Sequence, residues 1–386
     1  MKIDLYNHEG RFKQWKEQAL RKGYIESGLS KENSGILVKY TLDMEIGNNV
    51  SIRNKKGSRS YARLNSIRQK MAQMMRVLQE KKIKDITIIN EEQIQHYFNS
   101  LRNGETKTQK GKKYKCTSDY VKIFKAFWHW YQLISKKKGR VVEDITVYID
   151  SSQDEKPKWV YLNEDQINKL LNNCDPKYKP LFSFLYDSGA RVTEAFSLQV
   201  QDISEDKGDI FVNIRQEISK TFGRKIKLLL CGKDIHEYIR RSELKPEDRL
   251  FAISNDMANR YLSKLSGEVF GSRTSEGGEN YQHMTLYDFR HNSACYWLER
   301  YKNTMSLMYR FGWKSEKYIL YYSEFKGKRD LIKSDDLLVD ITKSELEKEL
   351  NAMRRKTEKQ ATEMNQTHKD IERLNFLVQR IMTNND

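Results

Sequence analysis

The chain has 386 residues, room for two or three domains, and its 70 Lys and Arg against 53 Asp and Glu leave a net charge of +17, which points to a polyanionic partner. Cys116, Cys174, Cys231 and Cys295 stand far apart with no Cys-x-x-Cys pair, which argues against a zinc site or a disulfide framework. No apolar run approaches the roughly 18 residues of a membrane-spanning helix, and the N-terminal stretch holds no apolar signal core, so a soluble, cytoplasmic protein is expected.

Residues 1–49 read as an amphipathic helical segment. Ser30 and Asn33 are both candidate caps for a helix running to Glu45, and Gly47-Asn48-Asn49 breaks it. A second helix, 58–80, carries Tyr61, Leu64, Ile67, Met71, Met74, Met75 and Leu78 at three- and four-residue steps, the mark of a core-facing stripe. A helix over 91–101 follows an Asp85-Ile86-Thr87 turn. A polar loop then carries Lys110, Lys112, Lys113 and Lys115. The helix 118–135 sets Tyr120, Phe124, Phe127, Trp128 and Tyr131 on one side. Residues 51–150 hold 23 basic and 9 acidic side chains, so 14 of the 17 excess charges fall there. Charge that localised reads as a binding surface for a polyanion, with the four lysines as candidate contacts. The expected division is therefore a basic helical domain over 50–150 and a linker without periodicity over 151–160.

A new domain is expected over 161–343. Asn163 and Gln166 form a capping-box pattern ahead of a helix over 164–171. Helices over 178–188 and 191–198 follow. Apolar runs at 210–214 and 225–230, split by a polar turn, predict a hairpin. Further helices are expected at 234–241, 255–265, 287–300, 304–311 and 316–323. The fold class is mainly α with a small β-sheet (α+β). Over 344–382, Leu346, Leu350, Met353, Thr357, Gln360, Met364, Thr367, Ile371, Leu374, Val378 and Ile381 alternate four- and three-residue steps. That is a heptad seam, and it predicts a coiled coil or helical arm; a single solvated helix is the alternative.

The residues that carry chemistry fall at intervals along this second domain. Ser188-Gly189-Ala190-Arg191 is a glycine turn opening onto an arginine, with Glu194 one helical turn on, placed to orient it. Lys220 sits in the hairpin turn, with Arg224 and Lys225 as neighbours. Tyr287-Asp288-Phe289-Arg290-His291 starts a helix. Gly312-Trp313 is a turn, and Tyr318, Tyr321 and Tyr322 crowd the helix after it. In this order the motifs resemble the tyrosine recombinases, the phage-integrase-like enzymes that cut and rejoin DNA, and archaeal integrases most of all. The helix pattern upstream of residue 150 resembles their helical core-binding domain, so the likeness covers about residues 29–327.

The resemblance implies a site-specific recombinase that works without metal or cofactor through a 3′-phosphotyrosyl intermediate and moves a mobile element. It implies double-stranded DNA as partner, the two domains clamping the duplex, and self-association into a dimer or tetramer on DNA. Arg191 and Arg290 become forks for the phosphate, and Lys220 becomes the acid for the leaving oxygen. Trp313 becomes a donor to phosphate and a packing partner for the nucleophile's helix. Tyr322 becomes the nucleophile, nine residues past Trp313 and five before Gly327, with Tyr321 and Tyr318 as rivals. Tyr287 stands where the family usually has histidine; it can donate a hydrogen bond but is a poor base. His291 is expected to face inward in a structural role. Two other functions share the framework: a non-catalytic DNA-binding protein that keeps the fold, and a type IB topoisomerase.

Overall fold

The computed structural model describes residues 4–48, 57–108, 111–114, 116–152 and 158–327, together with Met353, Thr357, Gln360 and Met364. The chain forms two compact units, Met1–Val160 with Glu276–Glu279, and Tyr161–Ser275 with Asn280–Asp386.

The first unit is helical: α1 (His8–Ala19), α2 (Lys31–Ile46), α3 (Tyr61–Glu80), α4 (Glu91–Asn103) and α5 (Thr117–Lys136). Its core is continuous from Phe12 and Trp15 through the α3 stripe to Phe124, Phe127 and Ile149. Residues 1–49 therefore do not stand apart from 50–150, because α1 and α2 both pack on α3 and share its core. Ser30 caps α2 from an extended backbone, its Oγ accepting from the Asn33 amide at 3.1 Å. Asn33, the other candidate, lies inside the helix and is fully buried, and its Oδ1 takes the Ile86 amide at 2.9 Å. On α5 the buried face is wider than one stripe. Trp130 is buried with its indole donating to Asp43 at 2.8 Å, while Tyr120 and Tyr131 are only partly covered.

In the basic loop Lys112 and Lys113 are exposed, and Lys113 pairs with Lys107 across a narrow turn. Lys110 and Lys115 lie outside the described residues. The expected linker is tied down at its far end: Trp159 and Val160 are buried, and the Trp159 amide donates to Gly277 O at 3.1 Å. Two apolar side chains at the close of a polar stretch gain by leaving water.

The second unit holds α6 (Glu164–Asn172), α7 (Lys179–Ser188), α8 (Val192–Ala195), β1 (Ile203–Asp206), β2 (Asp209–Ile214), β3 (Arg224–Leu228), α9 (Gly232–Arg241), α10 (Asn255–Phe270), α11 (Leu286–Leu298), α12 (Thr304–Phe311) and α13 (Lys317–Phe325). The strands form one antiparallel sheet in sequence order, registered Ile203 to Val212 and Ile210 to Leu228. The sequence pattern does not predict β1. Ser204, Glu205 and Asp206 are polar and exposed, and the two-residue turn after the strand sets its place, with Lys207 and Gly208 both at positive φ. The helix expected over 191–198 stops at Ala195; the Gln199 amide donates to Asp202 Oδ2 at 2.9 Å rather than back to the Ala195 carbonyl. α11 lies against α7, α12 and α13, and β3 lies against α7 and α12. This brings the ends of α7 and α12, the start of α8 and the β2–β3 turn together. Of the heptad seam, Met353, Thr357, Gln360 and Met364 are helical and exposed; the rest of that expectation lies outside the described residues. Among the described residues no helix is long and apolar enough to cross a membrane.

Candidate active site

Two helix C-termini aim carbonyl oxygens at two arginines. Gly189 ends α7 in the left-handed region, φ 60°, and a Cβ there would come within 2.3 Å of Phe311 Cε1, so only glycine fits without a shift. The Gly189 carbonyl accepts from Arg290 Nη1, and Phe311 O, at the end of α12, accepts from Arg290 Nη2 at 2.7 Å. Gly312 ends α12, also at φ 60°, and its carbonyl accepts from Arg191 Nη2 at 3.3 Å and from Thr221 Oγ1 at 2.9 Å. Carbonyls left over at helix ends need donors, and the negative end of the helix dipole favours cations. The two guanidiniums meet both demands.

Arg290 is 4% exposed. Burial lowers its pKa, and the Arg191 charge lowers it further. Carbonyls hold Arg290, whereas Arg191 reaches the Glu194 carboxylate at 3.0 Å and is partly open to solvent. Glu194 is fully buried. It also accepts from the Arg191 amide at 2.9 Å, from Ser219 Oγ at 3.0 Å, and from both ends of Arg224 at 2.8 and 3.2 Å. Burial pushes the Glu194 carboxyl up, but the Arg224 hydrogen bonds and charge, with Arg191, win and hold it at about 2. Two guanidiniums, Arg191 and Arg224, thus bond one carboxylate, and the Arg290 charge stands near enough to feel it. The surplus positive charge, with Arg191 partly open, suits an anion such as a phosphodiester.

Lys220 is exposed on the β2–β3 turn. Its neighbours are anchored to the arginine cluster, Ser219 through Glu194 and Thr221 through Gly312. The turn therefore holds Lys220 beside the cluster while its own side chain stays unburied. Arg224 and Lys225, its rivals in the sequence, separate cleanly: Arg224 is buried in its ion pair, and Lys225 lies over the Phe211 ring.

Tyr322, on α13, is 5% exposed, whereas Tyr318 is 42% exposed and Tyr321 partly covered. The Tyr322 ring stacks on Trp313 at 5.7 Å between centroids, and Trp313 stacks in turn on Phe311 at 4.6 Å. The residue whose carbonyl holds Arg290 is thus in the same stack as Tyr322. Burial pushes the Tyr322 phenol well above its ordinary pKa, with the Arg290 charge pulling the other way. The Tyr322 hydroxyl lies 2.8 Å from His291 Nδ1. Burial and the Arg290 charge push His291 down to about 4, so its ring is neutral near pH 7. Tyr287 is 52% exposed and sets its ring edge-on to His291 at 5.0 Å.

Arg191, Arg290, Trp313 and Tyr322 are joined directly or through one intervening residue, with Lys220 on the anchored turn and Tyr287 at the rim beyond His291. The expectation that His291 plays only a structural part misses its bond to Tyr322. Glu194 is a hub for two arginines. The only signal for its second partner is an arginine thirty residues on, in a turn where the sequence points to Lys220 as the functional residue.

Residues 160–328 match the Phage integrase family. Over 115 residues the chain is 33% identical to the putative tyrosine recombinase TTE1313 of Caldanaerobacter subterraneus subsp. tengcongensis, which is 28% of this chain and 38% of that protein. Over 206 residues it is 25% identical to the tyrosine recombinase XerD of Listeria monocytogenes serotype 4b, 50% of this chain and 65% of that protein. The chain thus spans less than two thirds of either curated relative. Among solved structures, a lambda integrase dimer bound to a COC′ core site matches with a TM-score of 0.54 at 13% identity, covering 84% of this chain and 89% of that one. The XerH site-specific recombinase bound to palindromic difH, in a post-cleavage complex, matches with a TM-score of 0.53 at 16% identity, covering 83% and 92%. These likenesses establish the fold.

Proposed function

With residues 160–328 matching the phage integrase family, we propose that this protein is a tyrosine-type site-specific recombinase that cleaves and rejoins double-stranded DNA. The observation that carries the reading is one buried tyrosine, Tyr322, stacked on Trp313 and placed within the field of Arg290. In this reading Tyr322 Oη attacks the scissile phosphorus in line and forms a 3′-phosphotyrosyl bond. Arg191 and Arg290 bind the nonbridging oxygens, where charge gathers in the transition state. Lys220 gives a proton to the departing 5′ oxygen. Tyr287, at the rim, donates a hydrogen bond to phosphate. The strand is rejoined when a 5′ hydroxyl attacks the phosphotyrosine.

Binding falls to the first unit as well, where the positive charge is concentrated. Its lysines, Lys112 and Lys113 among the described residues and Lys110 and Lys115 beside them in sequence, are proposed to touch backbone phosphates. The matched lambda integrase is a dimer on its core site, and the matched XerH is bound to its DNA substrate; by analogy this chain is proposed to act as a dimer or tetramer on its DNA and to serve a mobile element. The exposed seam residues Met353 and Met364 fit a role for the tail in that assembly.

The test is incubation with a nicked suicide substrate carrying candidate core sites, followed by denaturing electrophoresis. A recombinase traps as a covalent adduct on one sequence, a topoisomerase on many, and a DNA-binding protein without catalysis on none.

A further inference from the structure

The proton of the Tyr322 phenol must leave as the oxygen attacks, and burial makes it hard to lose to water. One acceptor is already in place. Tyr322 on α13 and His291 on α11 meet across two packed helices, Oη to Nδ1, at 2.8 Å. Tyr287 lies one helical turn before His291, and the two rings meet edge to face. Tyr287 thus packs on the imidazole without taking its place beside the nucleophile.

Resting on the recombinase reading above, we propose that His291 is the base of the reaction: it takes the Tyr322 proton during cleavage and returns it during rejoining. In the forward step the Oη–P bond forms and the P–O5′ bond breaks. The Tyr322 proton passes to His291 Nδ1, and the 5′ oxygen leaves with a proton from Lys220. In the reverse step the incoming 5′ hydroxyl attacks phosphorus and gives its proton to Lys220. The P–Oη bond breaks, and the phenolate recovers its proton from the imidazolium. With the phenol donating, His291 accepts at Nδ1 and carries its ring proton on Nε2.

The obvious objection is that His291 is a weak base where it stands, pushed down to about 4. Burial and the Arg290 charge cause that, and the second cause changes when DNA binds. A phosphodiester seated against Arg290 brings a negative charge that offsets the guanidinium, and its charge grows in the transition state. The imidazolium is therefore least opposed at the moment it forms. In the free protein His291 stays neutral, ready to accept.

The experiment compares His291→Asn and His291→Ala with the unaltered chain on the suicide substrate, with DNA affinity and melting temperature measured beside the cleavage rate. Asparagine offers an oxygen acceptor near the Nδ1 position but cannot take a proton. The proposal predicts that both variants bind DNA and cleave roughly 10²–10⁴-fold more slowly. It further predicts that added imidazole restores part of the rate to His291→Ala and none to Tyr322→Phe. Cleavage by His291→Asn at close to the unaltered rate overturns the proposal and leaves the recombinase reading standing. If His291→Ala does not fold, His291→Asn alone decides by the same criterion. Absence of any adduct with the unaltered chain overturns the recombinase reading itself, and this proposal with it.

Discussion

Arg224 clasps Glu194 with both ends of its guanidinium, at 2.8 and 3.2 Å, and neither side chain is exposed. Breaking a buried pair strands the survivor's charge, which costs about 3–5 kcal/mol. Glu194→Gln and Arg224→Met are each expected to lower the melting temperature sharply. The double variant is expected to lose less than the sum of the two, in a double-mutant cycle read by denaturant unfolding. Additive losses show that the pair is not the unit it looks like. Glu194→Gln is also expected to slow cleavage, because Glu194 orients Arg191.

The same carboxyl predicts an acid limb. Its folded pKa, about 2, lies below the ordinary 4.5. The stability it contributes is therefore complete above about 4.5 and is lost as pH falls from there towards 2. Unfolding free energy measured through that window is expected to fall more steeply for the unaltered chain than for Glu194→Gln. Equal slopes place the acid sensitivity elsewhere.

Gly189→Ala tests the geometry that holds Arg290. A methyl there meets Phe311 Cε1 at 2.3 Å and stands at φ 60°. Strain and overpacking together are expected to cost roughly 2–4 kcal/mol. Phe311 must move, and its carbonyl holds Arg290 while its ring supports Trp313. Cleavage is expected to fall by more than DNA affinity does. A variant with unchanged melting temperature and rate contradicts the packing described here.

Much of this is legible along the chain, for local reasons. Ser30 and the Asn163–Gln166 capping box mark helix starts through contacts three residues long, and Gly47 marks an end through its backbone freedom. Arg191 and Trp313 sit at turns and Arg290 and Tyr322 within short helices, at a spacing that is itself a signal. What is hidden depends on contacts between distant segments. β1 carries no apolar alternation and exists because a tight turn folds it onto β2. Asn33 has the chemistry of a cap, but Ile86 claims its side chain. The partnership of His291 with Tyr322 depends on how α11 meets α13, which no spacing encodes. Residues 1–49 look separate because the break after Ile46 is plain in sequence and the shared core is not.

Lys112 and Lys113 are exposed on the basic turn of the first unit. Replacing both with glutamine is expected to weaken DNA binding and shallow the slope of log K against log salt by about 0.9 for each phosphate that is no longer neutralised. Melting temperature is expected to hold, since neither side chain is buried. An unchanged slope places this loop off the DNA.

Lys220→Ala is expected to leave folding and DNA binding intact, because the side chain is exposed on its turn. Cleavage is expected to slow roughly 10²–10⁴-fold if it is the acid for the leaving oxygen. A substrate with sulfur in place of the 5′ bridging oxygen has a leaving group that needs no proton. Rates on it are expected to recover for Lys220→Ala and to stay low for His291→Asn. Recovery of both, or of neither, removes the division of labour between the two residues.

Tyr322 is the residue proposed to become joined to DNA, and peptide mapping of the trapped adduct reads that residue itself. The unaltered chain, Tyr318→Phe, Tyr321→Phe and Tyr322→Phe are each incubated with the suicide substrate, and the adduct is digested and read by mass spectrometry. Tyr322→Phe removes one oxygen, so it is expected to fold and bind DNA while forming no adduct. The other three are expected to carry the nucleotide on Tyr322. An adduct that persists in Tyr322→Phe, or that maps to Tyr321 in the unaltered chain, rules out Tyr322 as the nucleophile.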